Sequence, residues 1–284
     1  MISFPRPLLV AASLVLAAPA FAQQQPETPP EPRGGDFVIA GAGAAVMPDY
    51  EGSDDYRWAP IPAAVGRVSG FGFQFVGNRL SVDLIPDRPG PGWDLQLGPV
   101  AVLNLNRSST RSIEDPRVKA LGKVGTAVEL GGYAGIGRAG VLTSDYDRLS
   151  VTISYRHDVT GTHDSGVLTP AVSYMTPLSR KALVGVFANA ERVGDGYART
   201  YFGVPAEAAP ASGLAAYDLD GGWKSWTLGL GGAVSLSGDL THGLQLVGGG
   251  TYRRMLGDFA DSPLVATAGS RGQWMGMLGL AYSF

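Results

Sequence analysis

Alternation between two kinds of side chain is the main pattern along this chain, and its last stretch shows it most fully. Every second residue from Trp274 to Phe284 is apolar, aromatic or glycine, and the residues between them carry no charge. A period of two places these sets on opposite faces of a β-strand. Two uncharged faces and an aromatic last residue are typical of an outer-membrane β-barrel, whose outward apolar band is edged by aromatic girdles. The alternative is the last strand of a soluble sandwich.

The same period recurs upstream and predicts an all-β chain of about twelve strands, each of about ten residues, which suits a tilted membrane crossing. It is clearest where Leu95 and Leu97 share one face while Asp94 and Gln96 share the other. The predicted strands are 37–46, 58–68, 71–75, 79–85, 93–106, 124–136, 149–156, 166–175, 182–192, 222–236, 243–255 and 271–284.

Two of the predicted strands are weak. Pro60 and Pro62 are expected to interrupt the second strand, because proline cannot donate to a strand ladder. The third strand, Phe71 to Phe75, is short, and Gly77-Asn78 is a hairpin signal that joins it to the next. If these strands merge with their neighbours, ten strands are the alternative.

The gaps between the predicted strands alternate in length. Short gaps lie at 69–70, 176–181 and 237–242, and longer ones at 47–57, 107–121, 194–221 and after 256. Short periplasmic turns and long outer loops are what a bacterial outer-membrane barrel shows. The sequence therefore predicts a transmembrane antiparallel up-and-down β-barrel over residues 36–284.

This fold predicts which way individual side chains face. The residues predicted to face lipid are Leu95, Leu97, Leu280 and Tyr282. The residues predicted to face the lumen are Gln96, Glu129, Arg156 and Arg253. Charges avoid lipid and can pair across a barrel, so a structural role is expected for the charged ones.

The first 35 residues precede the predicted barrel. Met1 to Ala22 contains Arg6, a short apolar run and an A-x-A site, which together indicate a secretory signal peptide. Gln23 to Gly35 is rich in proline and glutamate and is predicted to be an extended periplasmic tether. Because the apolar run is shorter than the roughly 20 residues of a transmembrane helix, no spanning helix is predicted.

Composition narrows the class of protein. The 41 glycines, with 45% hydrophobic and 17% charged residues, favour one glycine-rich β structure. The chain has no cysteine, which excludes disulfides and thiolate chemistry. Its formal charge is −3, and loss of Arg6 with the signal peptide makes it −4 (−3 minus 1). A mildly acidic secreted chain is not expected to bind nucleic acid.

Two glycine patterns imitate nucleotide-binding motifs. Gly41 to Val46 follows an apolar strand, and Gly135 to Gly140 matches G-x-G-x-x-G. Each would need a helix next to it to hold a pyrophosphate. Pro48 and the alternation from Leu149 argue against such helices, so no nucleotide or other cofactor is predicted.

The histidines offer no clear chemistry. His157, His163 and His242 lack metal-ligand spacing. His163 to Ser165 contains the residue types of a triad, but adjacent residues on a short loop point in different directions. No catalytic, cofactor-binding or metal-binding residue is predicted, and an enzyme, if there were one, would be an outer-membrane hydrolase.

Several segments together resemble the MipA/OmpV family of outer-membrane proteins, also described as MltA-interacting protein-like. They are 48–53 (PDYEGS), 128–131 (VELG), Tyr197 with 200–204 (TYFGV), 211–214 (ASGL), 254–258 (RMLGD) and 261–265 (DSPLV). The resemblance covers nearly all of the chain from Asp36. It implies a barrel without an agreed catalytic motif, so no site residue is carried over.

One member of that family is a scaffold that joins a murein-degrading lytic transglycosylase to a murein synthase. The resemblance therefore implies a non-enzymatic envelope scaffold in the outer membrane, with membrane lipid and those two periplasmic enzymes as partners. We expect the tether, with the turns Pro86 to Gly92 and Arg138 to Tyr146, to make the contact; the alternative is that the tether is an inert spacer left after signal cleavage. The alternatives are a passive or selective pore, an adhesin or an outer-membrane hydrolase.

Overall fold

A computed structural model describes residues 36–86 and 92–284 of the chain. Within them, twelve antiparallel strands form one closed barrel. Each strand pairs with the next along the chain, and the first pairs with the last over Ile39–Val46 and Gly276–Ser283. The predicted up-and-down barrel of twelve strands is confirmed. The predicted signal peptide, the tether and most of the turn Pro86 to Gly92 lie outside the described residues.

The strands and helices have the following bounds. The strands are β1 Phe37–Pro48, β2 Tyr56–Val68, β3 Phe71–Val76, β4 Arg79–Asp83, β5 Trp93–Asn104, β6 Ala127–Ala139, β7 Arg148–Asp158, β8 Gly166–Ser179, β9 Ala182–Val193, β10 Gly222–Ser235, β11 Gly243–Met255 and β12 Gly272–Ser283. The helices are α1 Pro116–Ala120, α2 Asp195–Phe202, α3 Ala209–Ser212, α4 Gly257–Asp261 and α5 Pro263–Ala266. No described helix is both long and apolar enough to pass through a bilayer.

Burial confirms the predicted faces. Leu95, Leu97 and Leu280 are 57%, 53% and 48% exposed on the outer surface, whereas Glu129 and Arg156 are buried inside at 0% and 7%. In the register between neighbouring strands, outward-facing residues pair with outward-facing residues, as Leu95 does with Ile136. Hydrophobic side chains therefore point outward along the strands, as the alternation predicts for a barrel in lipid.

The prediction that prolines interrupt the second strand is wrong. β2 runs from Tyr56 to Val68 through both Pro60 and Pro62. Its other residues keep the ladder with β1, as the pairs Gly43 with Ile61 and Ala45 with Ala59 show. The missing proline N–H groups cost nothing there, because they face an edge along which β3 does not extend.

The long loops pack together over one end of the barrel. Residues 49–55, 105–126, 159–165, 194–221 and 256–271 make up this loop lid. It contains two buried apolar clusters: Tyr201 and Phe202 belong to one, and Ile113 and Leu264 to the other, all at 0% exposure. The lid therefore has a hydrophobic core of its own.

Local capping explains two of the short helices in the lid. The Asp115 side chain accepts hydrogen bonds from the backbone N–H groups at the start of α1, and Pro116 occupies its first turn. At α5, Ser262 accepts from the N–H of Leu264, and Pro263 follows it. An acceptor followed by proline is a favoured helix start, which lets these few residues turn and pack.

Candidate functional site

Glu51 lies at the centre of a buried polar network between the loop lid and the lumen. Nζ of Lys224 lies 2.9 and 3.0 Å from its two carboxylate oxygens. Nη1 of Arg253 donates to it over 2.9 Å, and the hydroxyl of Tyr197 over 2.8 Å. These donors come from β10, β11 and α2. One carboxylate thus ties the lid to two strands of the barrel.

The network continues around the lumen wall through two more carboxylates. Nζ of Lys224 also lies 2.9 Å from Glu191. Arg156 lies 3.1 Å from Glu191 and forms an ion pair with Glu129. Nε2 of His163 lies 3.2 Å from Glu129. We call the six charged residues the charge seal: Glu51, Glu129, Glu191, Arg156, Lys224 and Arg253.

The charge seal is balanced, because its three carboxylates face three cations. Removing one partner of a buried pair leaves the other uncompensated, which typically costs roughly 3–5 kcal/mol. Burial works against the charged form of Glu51, but Lys224 and Arg253 outweigh it and lower the pKa of Glu51. Burial, and then the nearby carboxylates, raise the pKa of Tyr197 well above its usual value, so its hydroxyl remains a donor.

Half of the charge seal was predicted to face the lumen. These residues are Glu129, Arg156 and Arg253, and the structure brings all three together. Lys224 was missed because the register shifts between Trp223 and Ser225, which a strict period of two does not reveal. Glu51 was missed because it lies in a loop, where alternation carries no information.

His163 is part of this network and not of a triad. It is 3% exposed, and its ring packs against Tyr197 and Tyr201 at centroid distances of 5.0 and 5.7 Å. Its Nε2 contacts the Glu129 carboxylate, which also pairs with Arg156. In the described part of the chain, no group of three or more metal-ligating side chains occurs.

A second candidate site lies at the opposite end of the barrel, where three turns surround a pocket of about 840 Å³. Tyr146, Leu178, Arg180 and Leu240 are among the residues that line it. Two of these turns are joined, because the backbone N–H of Leu240 donates to the carbonyl of Arg180 over 2.9 Å. We call this site the rim pocket.

One carboxylate holds the turn between β6 and β7 in shape beside the rim pocket. Asp147 is 0% exposed and accepts hydrogen bonds from the backbone of Val141 and Leu142 and from the hydroxyl of Tyr174. Loss of water works against its charge, but hydrogen bonds from the backbone of Thr143, Val141 and Leu142 hold the pKa of Asp147 well below its usual range. The turn is therefore preorganised.

Exposed leucines accompany this preorganised turn. Leu142 and Leu178 are 73% and 68% exposed. Leu142 lies in the turn after β6, and Leu178 lies at the end of β8, where the pairing with β9 is irregular. At the same end of the barrel, the guanidinium of Arg138 covers the ring of Trp93 at 5.2 Å. Tryptophan is enriched where a bilayer meets water, as expected at the end of a membrane-spanning strand. Exposed apolar side chains grouped beside a pocket are typical of a protein–protein contact.

Comparisons with solved structures find other outer-membrane proteins. The chain is similar to the Pseudomonas putida toluene transporter TodX, with 10% identity, 89% of each chain covered and a TM-score of 0.34. It is similar to the CymD monoaromatic hydrocarbon channel, with 10% identity, 88% and 89% covered and a TM-score of 0.39. For the outer-membrane OmpT of Vibrio cholerae, the values are 8%, 88% and 97%, and 0.35.

The comparison with curated proteins finds no match. A family model described as "MltA-interacting protein MipA" matches residues 40–284. The match begins inside β1 and ends at the last residue, so it includes the barrel, the loop lid and the rim pocket. The chain therefore belongs to the MipA family of outer-membrane β-barrel proteins.

Proposed function

We propose that this barrel is a non-enzymatic scaffold that holds murein-remodelling enzymes at the periplasmic face of the outer membrane. The observation that carries the proposal is the rim pocket, with its preorganised turn and exposed leucines. The family description names an interaction with MltA. We infer that a lytic transglycosylase of that kind, and through it a murein synthase, docks at the rim.

Size argues that the rim does not act alone. A standard protein interface buries about 800 Å² on each partner. Leu142, Leu178 and the walls of the rim pocket offer an apolar centre, but the turns around them are short. β1 begins at this same end of the barrel, and the proline-rich tether, Gln23 to Gly35, precedes it in the sequence. A polyproline segment extends about 3.1 Å per residue. In this proposal the tether supplies the remaining contact area.

The test is recovery of the lytic transglycosylase by crosslinking and pull-down from intact envelopes. Leu178→Glu should reduce recovery at least roughly tenfold, as expected for a residue at the centre of an interface. Val159→Glu is the matched control, because Val159 is 59% exposed in the loop lid at the other end. Recovery should also fall when Gln23 to Gly34 is deleted. Equal recovery from all variants at equal barrel level would contradict the proposal.

A selective pore is the second candidate, and the lumen below the charge seal favours it. Met175 and Phe187 face the lumen and are still 46% and 38% exposed. The ring of Phe187 packs directly over Gly229, where any Cβ would clash with it, so the ring lies close to the wall. Conductance through planar bilayers separates the two functions. With the charge seal intact, a scaffold should conduct no ions, whereas a pore should show channel openings.

A further inference from the structure

One stretch of the barrel wall lacks a partner among the described strands. β3 and β4 contain only 6 and 5 residues. β3 pairs with Ala63–Val68 of β2, whereas the rest of β2, Tyr56–Pro62, pairs with β1 and with no other strand in the described ranges. Among the described residues, the one further backbone hydrogen bond to that edge runs from Gly77 to Pro62. We call this break in the wall, on the lid side of the β3–β4 hairpin, the side portal.

The free edge of β2 is adapted to the absence of a partner. The carbonyl of Pro62 accepts from Gly77 over 2.8 Å, so the nitrogen of Pro62 faces the same edge, and so does that of Pro60 two residues earlier. Unpaired N–H groups are costly in a bilayer, and proline has none to leave unpaired. The two prolines therefore stabilise a wall that is open at this point.

Two arginines on the lumen side flank the side portal. Arg57 lies on the inner face of β2 beside the break, opposite Met47, and Arg79 begins β4 at the tip of the hairpin. Within the described residues neither side chain makes an ion pair or a hydrogen bond, and Nε of Arg57 is buried without a partner. The nearby cations of the charge seal are matched by carboxylates, so these two guanidinium groups are in excess.

The outer side of the side portal is apolar. Trp58, Leu80 and Leu103 face outward around the break and are 74%, 42% and 48% exposed. Between the two arginines, Ile61 and Val76 line the inner face. A ligand that fits both sides has hydrocarbon outside the wall and an anionic group inside it.

We propose that the side portal binds a phosphate-bearing lipid taken from the surrounding membrane. Its acyl chains lie against Trp58, Leu80 and Leu103, and its phosphate binds the guanidinium of Arg57. The positive charge of Arg79, which lies level with Ala63 and so six residues further along the wall, adds to the attraction. A guanidinium group binds phosphate through two parallel hydrogen bonds, which are roughly twice as strong as neutral ones. The lumen beneath the loop lid is thus a lipid headgroup site, independently of whether the rim docks an enzyme.

The experiment is native mass spectrometry of the refolded barrel, released from detergent after incubation with one probe at a time. The probes are phosphatidic acid, phosphatidylcholine and inorganic phosphate. We expect one phosphatidic acid to be retained, little phosphatidylcholine, and no retained free phosphate. The variant Arg57→Met/Arg79→Met should bind phosphatidic acid at least roughly tenfold more weakly, since it loses charged hydrogen bonds. Arg111→Met, in an exposed part of the lid, is the matched control and should bind like the parent.

Two results would overturn the proposal. Equal retention of phosphatidic acid by the double methionine variant would remove the arginines from the site. Binding of inorganic phosphate as tight as that of the lipid would make it an aqueous anion site without a role for the side portal. Heat-modifiable migration in gels checks folding. If the methionine variant fails to fold, Arg57→Lys/Arg79→Lys keeps the charge, and weakened but measurable lipid retention is then the expected result.

Discussion

Glu51 is the side chain on which the closed lid depends most, because it meets a lysine, an arginine and a tyrosine from three elements. Glu51→Gln keeps the shape and removes the charge, which leaves the cations of the charge seal in excess. We expect a loss of roughly 3–5 kcal/mol in stability, the usual cost of breaking a buried ion pair. Unfolding by denaturant in detergent measures it. Glu207→Gln, an exposed carboxylate of the loop lid outside the network, should lie close to the parent.

The same carboxylate sets a pH dependence. The pKa of Glu51 is lower in the folded barrel than its ordinary value, because Lys224 and Arg253 outweigh burial. Its contribution to stability is therefore complete above the unfolded pKa of about 4.3 and is lost as the pH falls through the folded value. The stability difference between the parent and Glu51→Gln should be constant near neutral pH and shrink below about pH 4. A difference that grows on acidification would contradict this assignment.

At the scale of single strands, the alternation can be tested on the closing strand. Leu280 is 48% exposed on the outer face of β12, whereas Met277 faces the lumen opposite Ala45. Arginine in place of Leu280 should cost up to roughly 2–4 kcal/mol if it lies near the midplane, and far less in place of Met277. Reversible unfolding of the two variants from lipid vesicles gives both values. Equal costs would show that the register of β12 is wrong.

Strands were predictable because a period of two repeats locally, whereas the lid and the charge seal are made by distant contacts. Glu51 meets Tyr197 and Arg253, which lie 146 and 202 positions away along the chain. No local pattern records such a pair. Pro60 and Pro62 led to a wrong prediction for the opposite reason. Taken locally, two prolines indicate a break in a strand. Whether that edge of β2 needs N–H donors depends on how far the β3–β4 hairpin extends beside it, which is a property of the whole sheet.

The segments that carry the family resemblance also meet only in three dimensions. Residues 48–53 and 128–131 supply Glu51 and Glu129 to the charge seal, and Tyr197 reaches it from α2. Ser262, within residues 261–265, caps α5 and donates from its hydroxyl to the carbonyl of Phe202 over 2.6 Å. The motif residues therefore build the lid and its attachment to the barrel, a role that spacing along the chain does not reveal.

At the scale of the whole molecule, closure of the barrel depends on joining its two ends. The backbone N–H of Phe284 donates to the carbonyl of Val38 over 2.9 Å, so the last residue extends the seam between β12 and β1. Its ring contacts Tyr282 at a centroid distance of 4.9 Å but is 63% exposed. Replacing an exposed ring removes little packing in the finished barrel, because the seam hydrogen bond comes from the backbone.

Phe284→Ser should therefore separate assembly from stability. Surface changes of this kind usually alter stability by about 0.5 kcal/mol or less, so the assembled variant should unfold like the parent. Its amount in the outer membrane should nevertheless fall, because an aromatic terminal residue is expected to act as the signal for insertion. Pulse-labelling with heat-modifiable migration measures assembly, and denaturant unfolding of purified barrel measures stability. Tyr282→Ser is the matched control, since it removes the neighbouring ring and keeps the terminal one. Normal assembly of Phe284→Ser would show that the terminal aromatic ring is not a signal for insertion.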